Sequence, residues 1–257
     1  MTKTGSDFPI LEFDDSEDAL IEPSRFIRAG TPPEHCVICF FNEVVERIAR
    51  EKQAKNFFNR NWESGKHKFY EIEHLGKRLA FFQPGVGAPM AAGLLEEAIA
   101  FGMRKFIACG GAGVLQSDIK LGKLVVVTSA VRDEGTSYHY QRPSREIDAQ
   151  EGTVKVIEQT LLKNSIPYIK GKTWTTDAAY RETREKIQLR RTEGCITVDM
   201  EASAFIAVAN FRKVKFGQIL YSGDDLSGEE WDERNWGKQK QVRENLFWLA
   251  AETCLNL

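Results

Sequence analysis

The sequence predicts a single α/β domain with a largely parallel or mixed β-sheet. Short apolar runs of strand length alternate with longer amphipathic segments of helical period along most of the chain, which is typical of strand–helix units. The 257 residues contain no internal repeat, low-complexity tract or linker-like stretch. A chain of this length can bury a large core as one domain.

The predicted elements follow from hydrophobic periodicity and from the turn residues that bound it. Strands are expected at about 35–41, 68–73, 78–83, 106–109, 124–129, 167–174 and 216–221. Helices are expected at about 43–54, 89–101, 153–164, 181–191, 200–212 and 235–255. The tetrapeptide His74-Leu75-Gly76-Lys77 predicts a hairpin turn. Residues 1–34 are polar and interpreted as an extended arm packed on a domain of residues 35–257.

Composition and charge exclude several classes of function. The net charge of −2 gives no overall attraction to nucleic acid or to an anionic membrane. The longest apolar runs are too short, or too interrupted by charge, for a transmembrane helix, and the N-terminus lacks a basic-then-apolar signal segment. We therefore expect a soluble, cytoplasmic protein.

The five cysteines are interpreted as reduced thiols, most of them in apolar runs. Cys36 and Cys39 have the C-x-x-C spacing, but they lie in a run that predicts a strand. Residues three apart on a strand face opposite sides of the sheet. We therefore expect neither a metal site nor a redox pair there.

Two glycine-rich segments follow predicted strands, where ligands collect in open α/β sheets. Pro84-Gly85-Val86-Gly87-Ala88-Pro89 lets backbone amides approach an anion or a sugar. Gly110-Gly111-Ala112-Gly113 is expected to be a loop whose successive N–H groups suit phosphate. By itself the first segment is more often a tight turn that needs glycine, and the second is a weak signal that matches neither a Walker nor a dinucleotide-binding motif.

Two acidic segments complete the set. Glu201, in Val198-Asp199-Met200-Glu201-Ala202, begins a predicted helix that is otherwise apolar or small, so its carboxylate needs a partner. Vicinal ribose hydroxyls fit this need. The alternative is an acid favoured by the helix dipole, with Asp199 as N-cap, and spacing alone favours neither. Asp224 and Asp225 follow a buried strand in a glycine-flanked loop, which suits both general acid–base catalysis and a turn.

In this order, the four segments resemble the nucleoside phosphorylase superfamily, which includes purine nucleoside phosphorylases, uridine phosphorylases and related nucleosidases. The match spans about residues 35–255. Residues 175–181 are similar to the family's base-site segment, and residues 132–140 to a variant found in uridine-phosphorylase-like members. The resemblance implies a mixed, barrel-like central sheet flanked by helices, and a homo-oligomer built from dimers.

The resemblance also implies roles for individual residues. It implies ribose binding by Met200 and Glu201, stacking on the base by Tyr180, and protonation of a purine at N7 by Asp224, with Arg234 as the basic partner of that acid. The glycines expected to bind phosphate are Gly87, Gly110, Gly111 and Gly113.

Three phosphate contacts of the family are missing or displaced. Residues 40–47 replace a Gly-Asp-Pro-x-x-Arg segment, leaving Arg47 as a displaced candidate, and Ala108 and Gly111 stand where an Arg and a Ser or Thr are usual. Losing two charge-assisted hydrogen bonds, each worth about 1.5–3 kcal/mol, would weaken phosphate binding by about two to four powers of ten. The other basic candidates are Arg28, Arg104, Arg132 and His139.

The leading prediction is a nucleoside phosphorylase, a pentosyltransferase that cleaves the N-glycosidic bond of a purine riboside or of uridine. Phosphate is its expected co-substrate, and no cofactor, nucleic acid or membrane partner is expected. A nucleosidase using water on the same fold is the alternative, and a catalytically weak nucleoside-binding protein is the second alternative. Which base is cleaved, and whether phosphate or water attacks, stay open.

Overall fold

The structure is a computed structural model that describes residues 6–257, so the first five residues of the predicted arm lie outside it. The strands of the described part are His35–Cys39 (β1), Lys55–Trp62 (β2), Gly65–His74 (β3), Lys77–Phe82 (β4), Lys105–Val114 (β5), Leu124–Asp133 (β6), Glu146–Asp148 (β7), Tyr168–Thr176 (β8), Cys195–Asp199 (β9) and Lys215–Asp225 (β10). Its α-helices are Asn42–Glu51 (α1), Ala88–Phe101 (α2), Glu151–Lys163 (α3), Arg184–Thr192 (α4), Ala202–Phe211 (α5) and Lys240–Leu255 (α6).

Five strands close into a mixed barrel. β5 pairs in parallel with β10, β10 pairs antiparallel with β6, and β6 and β9 both pair in parallel with β8. β9 then returns antiparallel to β5 and completes the ring. The predicted α/β domain with a barrel-like mixed sheet is therefore confirmed.

The sheet continues beyond the barrel through β1, β4, β3 and β2. β3 and β4 form an antiparallel hairpin across the predicted turn, where Leu75 and Gly76 have φ angles of 51° and 71°. β2 was not predicted from the sequence. It reads Lys-Asn-Phe-Phe-Asn-Arg-Asn-Trp and lies at the end of the strand order, where polar residues are usual.

Helices cover both faces of the sheet. α2 and α5 pack on one face, and α1, α3 and α6 pack on the other. Cys36 belongs to the first of these two cores and Cys39 to the second, as expected for residues three apart on a strand. All five cysteines are free and buried.

The glycine-rich segment after residue 109 is a strand rather than the predicted loop. β5 continues through it to Val114, with Gly110 and Gly111 paired to β10 and Gly113 paired to β9. The glycines permit close packing: a Cβ at Gly110 would lie 2.9 Å from the ring of Phe40. A Cβ at Gly113 would lie 2.5 Å from the side chain of Leu226. Steric demand, and not an exposed row of amides, thus accounts for glycine here.

The arm is held to the core by ion pairs and a backbone contact. Glu22 pairs with Arg212 at 3.1 Å, Lys213 pairs with Glu17 at 2.9 Å, and the N–H of Gly30 donates to α2. Among residues 6–257, no helix has the length and apolar character needed to span a membrane.

Candidate functional site

A cavity of about 370 Å³ opens where β1, β5, β9 and β10 end. Residues from all four predicted segments line it: Val86, Gly111, Gly113, Met200, Glu201 and Asp224. Segments more than a hundred residues apart thus meet in one place, as the sequence analysis expected. The chemistry of this cavity depends on two groups of carboxylates and one guanidinium.

Glu201 is 6% exposed and stands at the N-cap position of α5 without capping it. Its Oε1 accepts the backbone N–H of Gly87 at 2.6 Å. The capping is done by Asp199, whose Oδ2 accepts from the amides of Glu201 at 3.2 Å and Ala202 at 2.8 Å. The two interpretations left open by the sequence therefore apply to different residues: Asp199 serves the helix, and Glu201 points into the cavity.

Asp199 is itself held from the other side. The hydroxyls of Thr173 and Thr175 donate to its Oδ1 at 3.3 and 2.9 Å. Burial, and after it the charge of Asp199, raise the pKa of Glu201 above its usual value, against the lowering effect of the Gly87 amide. A hydroxylated ligand that donates hydrogen bonds to Glu201 would favour its charged form.

The N–H of Gly87 is committed to Glu201, so the predicted phosphate-binding role of Gly87 is not supported. Gly110 is likewise absent from the residues that line the cavity, and only Gly111 and Gly113 of the predicted phosphate set contribute to its wall. A continuous strand also directs successive N–H groups to opposite neighbours, which removes the expected cluster of amides.

A second pair of carboxyls lies at another part of the wall. Asp224 accepts a hydrogen bond from Nε1 of Trp231 at 2.7 Å. Glu182, which the sequence analysis did not identify, also lines the cavity. Burial, and then the charge of Asp224, raise the pKa of Glu182 to about 7. Nothing in the local sequence of Glu182 distinguishes it from the other charged residues of its segment.

Arg234 does not pair with Asp224, contrary to the prediction. Its guanidinium forms an ion pair with the neighbouring Asp225 and donates to the carbonyl of Ile119 at 3.0 Å. Arg234 has a left-handed backbone conformation, with φ 50°, and its side chain does not line the cavity.

Arg243, in the first turns of α6, supplies the cation of this site. It has the only cationic side chain among the cavity-lining residues of the described chain. Its Nη1 donates to Glu43 at 2.6 Å and its Nε to the Tyr221 hydroxyl at 3.2 Å. The guanidinium also lies over the rings of Phe41 and Trp236, at 4.8 and 5.0 Å from their centroids.

Tyr180 is fully exposed, with a relative accessibility of 102%, and does not line the cavity. The predicted stacking role therefore does not fit this residue. Its neighbour Ala179 lines the wall instead, and the aromatic side chains that do so are Phe40, Phe41 and Trp236. The short 3-10 helix Ala179–Arg181 turns Tyr180 outward.

Three of the five basic residues proposed to compensate for the missing phosphate contacts, Arg47, Arg104 and Arg132, form contacts elsewhere. Arg47 pairs with Glu244 at 2.7 Å, and Arg104 donates to carbonyls at the end of α2. Arg132 is buried and donates to Ser137, Ser144 and two carbonyls of the following loop. None of the five basic candidates lines the cavity: Arg28, Arg47, Arg104, Arg132 and His139 are all absent from its wall.

A larger cavity, of about 540 Å³, lies between the arm and α2. Its buried carboxylates already have partners: Glu96 pairs with Arg212 at 2.8 Å, and Glu97 pairs with Arg60 at 3.0 Å. Carboxylates paired in this way are structural, so the smaller cavity is the candidate active site. No group of three or more His, Cys, Asp or Glu side chains within residues 6–257 is arranged to hold a metal ion.

Comparison with protein-family models gives a match over residues 34–253 to a family described as the Phosphorylase superfamily. A guanosine phosphorylase from Halorubrum lacusprofundi is 26% identical over 210 residues, covering 81% of this chain and 86% of that protein. A uridine phosphorylase from Thermococcus kodakarensis is 30% identical over 170 residues, covering 60% of this chain and 61% of that protein.

The fold is similar to that of a solved uridine phosphorylase from Vibrio fischeri. The TM-score is 0.74, with 23% sequence identity, and the superposition covers 88% of this chain and 94% of the solved one. At this identity the likeness concerns the fold alone.

Proposed function

This chain belongs to the phosphorylase superfamily, and from that premise we propose that it is a nucleoside phosphorylase. It cleaves the N-glycosidic bond of a riboside and transfers the pentose to phosphate. Relatives named guanosine phosphorylase and uridine phosphorylase support this activity. The observation that carries it is the buried carboxylate of Glu201, which lines the same cavity as the acid pair Asp224 and Glu182.

Glu201 binds the ribose in this proposal. One of its oxygens accepts from Gly87, and the carboxylate lines the cavity, where two vicinal hydroxyls can donate to it. Met200, also in the wall, packs against the sugar. A sugar fixed in this way is oriented for displacement at its anomeric carbon.

Asp224 acts on the base. Cleavage leaves negative charge on the departing base and positive charge on the sugar, and a proton delivered to the base neutralises the first of these. The indole of Trp231 holds one oxygen of Asp224 at 2.7 Å, so the other is available to the base. Ring N7 of a purine is the natural proton acceptor, which favours a purine riboside over uridine.

A nucleosidase is the second candidate. Ala108 and Gly111 carry no phosphate-binding side chains, and Arg243 is the only cationic side chain lining the described cavity. An attacking water molecule needs no cationic side chain to bind it, whereas phosphate does. The small number of cations in the wall therefore favours hydrolysis as the competing reaction. A nucleoside-binding protein with weak catalysis is the third candidate for the same reason.

One assay separates the three. Purine ribosides and uridine are incubated with the protein, with and without phosphate, and ribose 1-phosphate and free ribose are quantified. We expect ribose 1-phosphate and a rate that depends on phosphate. Free ribose at the same rate without phosphate would establish the nucleosidase, and nucleoside-dependent thermal stabilisation without either product would establish the binding protein.

We also propose that the protein is cytoplasmic and forms a homo-oligomer built from dimers. It needs no cofactor, and phosphate is its co-substrate. The oligomer is tested by light scattering coupled to size-exclusion chromatography. A monomeric mass at micromolar concentration would contradict it.

A further inference from the structure

The side chain of Gln218 is buried and has no hydrogen-bond partner. Gln218 lies in β10, is 2% exposed, and neither its Nε2 nor its Oε1 has a partner among residues 6–257. Unsatisfied buried polar groups are rare in folded proteins because they are costly. The residue also lines the cavity that holds Glu201 and Asp224. A molecule bound in that cavity is therefore the group that can satisfy the amide.

Gln218 is well separated from the acid proposed to act on the base. Asp224 follows six residues later on the same strand, a span of roughly 20 Å at the rise of an extended strand. Gln218 is paired with Ala108 of β5, at the position where the family usually carries an Arg, and directly paired residues face the same side of a sheet. The amide thus faces a part of the cavity away from the base.

The nucleophile attacks the anomeric carbon from the face opposite the departing base. The group that binds it must therefore lie in the part of the cavity away from the base. Monohydrogen phosphate offers both acceptors, its P–O oxygens, and a donor, its P–OH group. A carboxamide offers the complementary pair, with Nε2 as donor and Oε1 as acceptor. The four carboxylates of the wall, Glu182, Asp199, Glu201 and Asp224, would repel an anion, so a neutral donor away from them suits phosphate better.

We propose that Gln218 binds the phosphate co-substrate through both atoms of its carboxamide. This inference rests on the proposed phosphorolysis. An oxygen of phosphate forms a bond to C1′ of the ribose as the C–N bond breaks, the electron pair of that bond leaves with the base, and the carboxyl group of Asp224 gives the base its proton. Gln218 exchanges no proton in this step; it orients the attacking oxygen. Arg243, the one cationic side chain that lines the cavity among residues 6–257, contributes positive charge, and the neutral amide orients the phosphate oxygens.

The test compares Gln218→Met with the wild-type protein. Methionine has a similar length and no branching, so it fills the same space without the polar atoms. The KM for phosphate is expected to rise about 10- to 100-fold, the loss of hydrogen bonds to a charged ligand. The KM for the nucleoside is expected to change little. In the absence of phosphate, the variant is expected to unfold at the same or a higher temperature, because the group removed has no partner in the protein.

Thr197→Val provides a matched control. The Thr197 hydroxyl is also buried and unpartnered, but it does not line the cavity. The change is expected to preserve or raise the unfolding temperature and to leave the KM for phosphate unaltered. Gln218→Glu, nearly isosteric but anionic, is expected to weaken phosphate binding more than Gln218→Met, and it serves if the methionine variant does not fold.

Each contrary result has a distinct meaning. A phosphate-dependent wild type with an unchanged phosphate KM in both Gln218 variants would overturn this inference alone. A lower unfolding temperature in Gln218→Met, with both KM values raised, would overturn it in favour of a structural role. A selective rise in the nucleoside KM would overturn it in favour of sugar binding. A wild type that forms free ribose without phosphate would overturn the proposed phosphorolysis and this inference together.

Discussion

The carboxylate of Glu201 accepts the backbone N–H of Gly87 at 2.6 Å, which joins two segments that lie 114 residues apart in the chain. Two of the predicted site segments are thus bound directly to each other. This hydrogen bond orients one oxygen of the Glu201 carboxylate, and it leaves the N–H of Gly87 unavailable to a phosphate ion. The position of the Glu201 carboxylate therefore depends on the backbone of the turn that contains Gly87.

Replacing Glu201 with Gln should impair ribose recognition while preserving the fold. The amide oxygen of Gln can still accept from Gly87, but the charge that strengthens hydrogen bonds from sugar hydroxyls is lost. Hydrogen bonds to charged groups contribute about 1.5–3 kcal/mol each, so kcat/KM for a riboside should fall about 10-fold or more. Comparing ribosides with 2′-deoxyribosides checks this. Unaltered discrimination between the two sugars would contradict the assignment.

Replacing Asp224 with Asn should lower turnover of a purine riboside by about 10²–10⁴-fold, the usual contribution of a general acid. The amide oxygen still accepts from Trp231, so the unfolding temperature should hardly change. Glu230→Gln, in the exposed part of the same loop, is the control and should behave like the wild type. Steady-state kinetics and thermal unfolding together decide the matter. Wild-type turnover in Asp224→Asn would exclude the proposed acid.

Glu182 should make stability depend on pH. Burial and the neighbouring Asp224 raise its pKa to about 7, from 4.5. The folded state therefore binds the proton more tightly than the unfolded chain. The stability from this group is complete below pH 4.5 and is lost as the pH rises through about 7. Between those values the unfolding temperature of the wild type should fall relative to that of Glu182→Gln. Parallel curves for the two proteins would refute this.

Replacing Tyr180 with Ala should leave activity and stability nearly unchanged. The side chain is fully exposed, and surface changes of this kind usually alter stability by less than about 0.5 kcal/mol. Ala179→Leu, on the cavity wall one residue earlier, is the contrasting variant and should reduce nucleoside affinity by filling space. Isothermal titration with a nucleoside measures the affinity of each variant, and steady-state kinetics and thermal unfolding measure activity and stability. A large loss of affinity in Tyr180→Ala would restore the stacking role that the sequence suggested.

The sequence was informative where a residue's role depends on its immediate neighbours. Asp224 follows a predicted strand and Glu201 begins a predicted helix, and such boundaries converge in an α/β sheet, so the meeting of the two acids in one cavity could be expected even though β9 was not predicted. Gly110–Gly113 was misjudged because glycines that relieve crowding, here from Phe40 and Leu226, look the same in sequence as glycines in a loop.

The remaining site residues depend on tertiary packing. Arg243 reaches the cavity only because α6 packs across the sheet beside α1, where Glu43 receives it. Arg234 is closer to Asp224 in sequence than Arg243 is, yet it forms its ion pair with Asp225. Gln218 resembles an ordinary polar residue in a buried strand until its lack of partners becomes visible in three dimensions.

Asp199 couples the position of Glu201 to the packing of three elements. It accepts hydrogen bonds from threonines of β8 and from the first amides of α5, and it adjoins Glu201, the acid proposed to bind the sugar. The position of Glu201 therefore depends on the contact of β8 and β9 with the start of α5. If Glu201 binds the sugar as proposed, a change that loosens Asp199 should therefore reduce nucleoside affinity even though Asp199 itself need not contact the sugar.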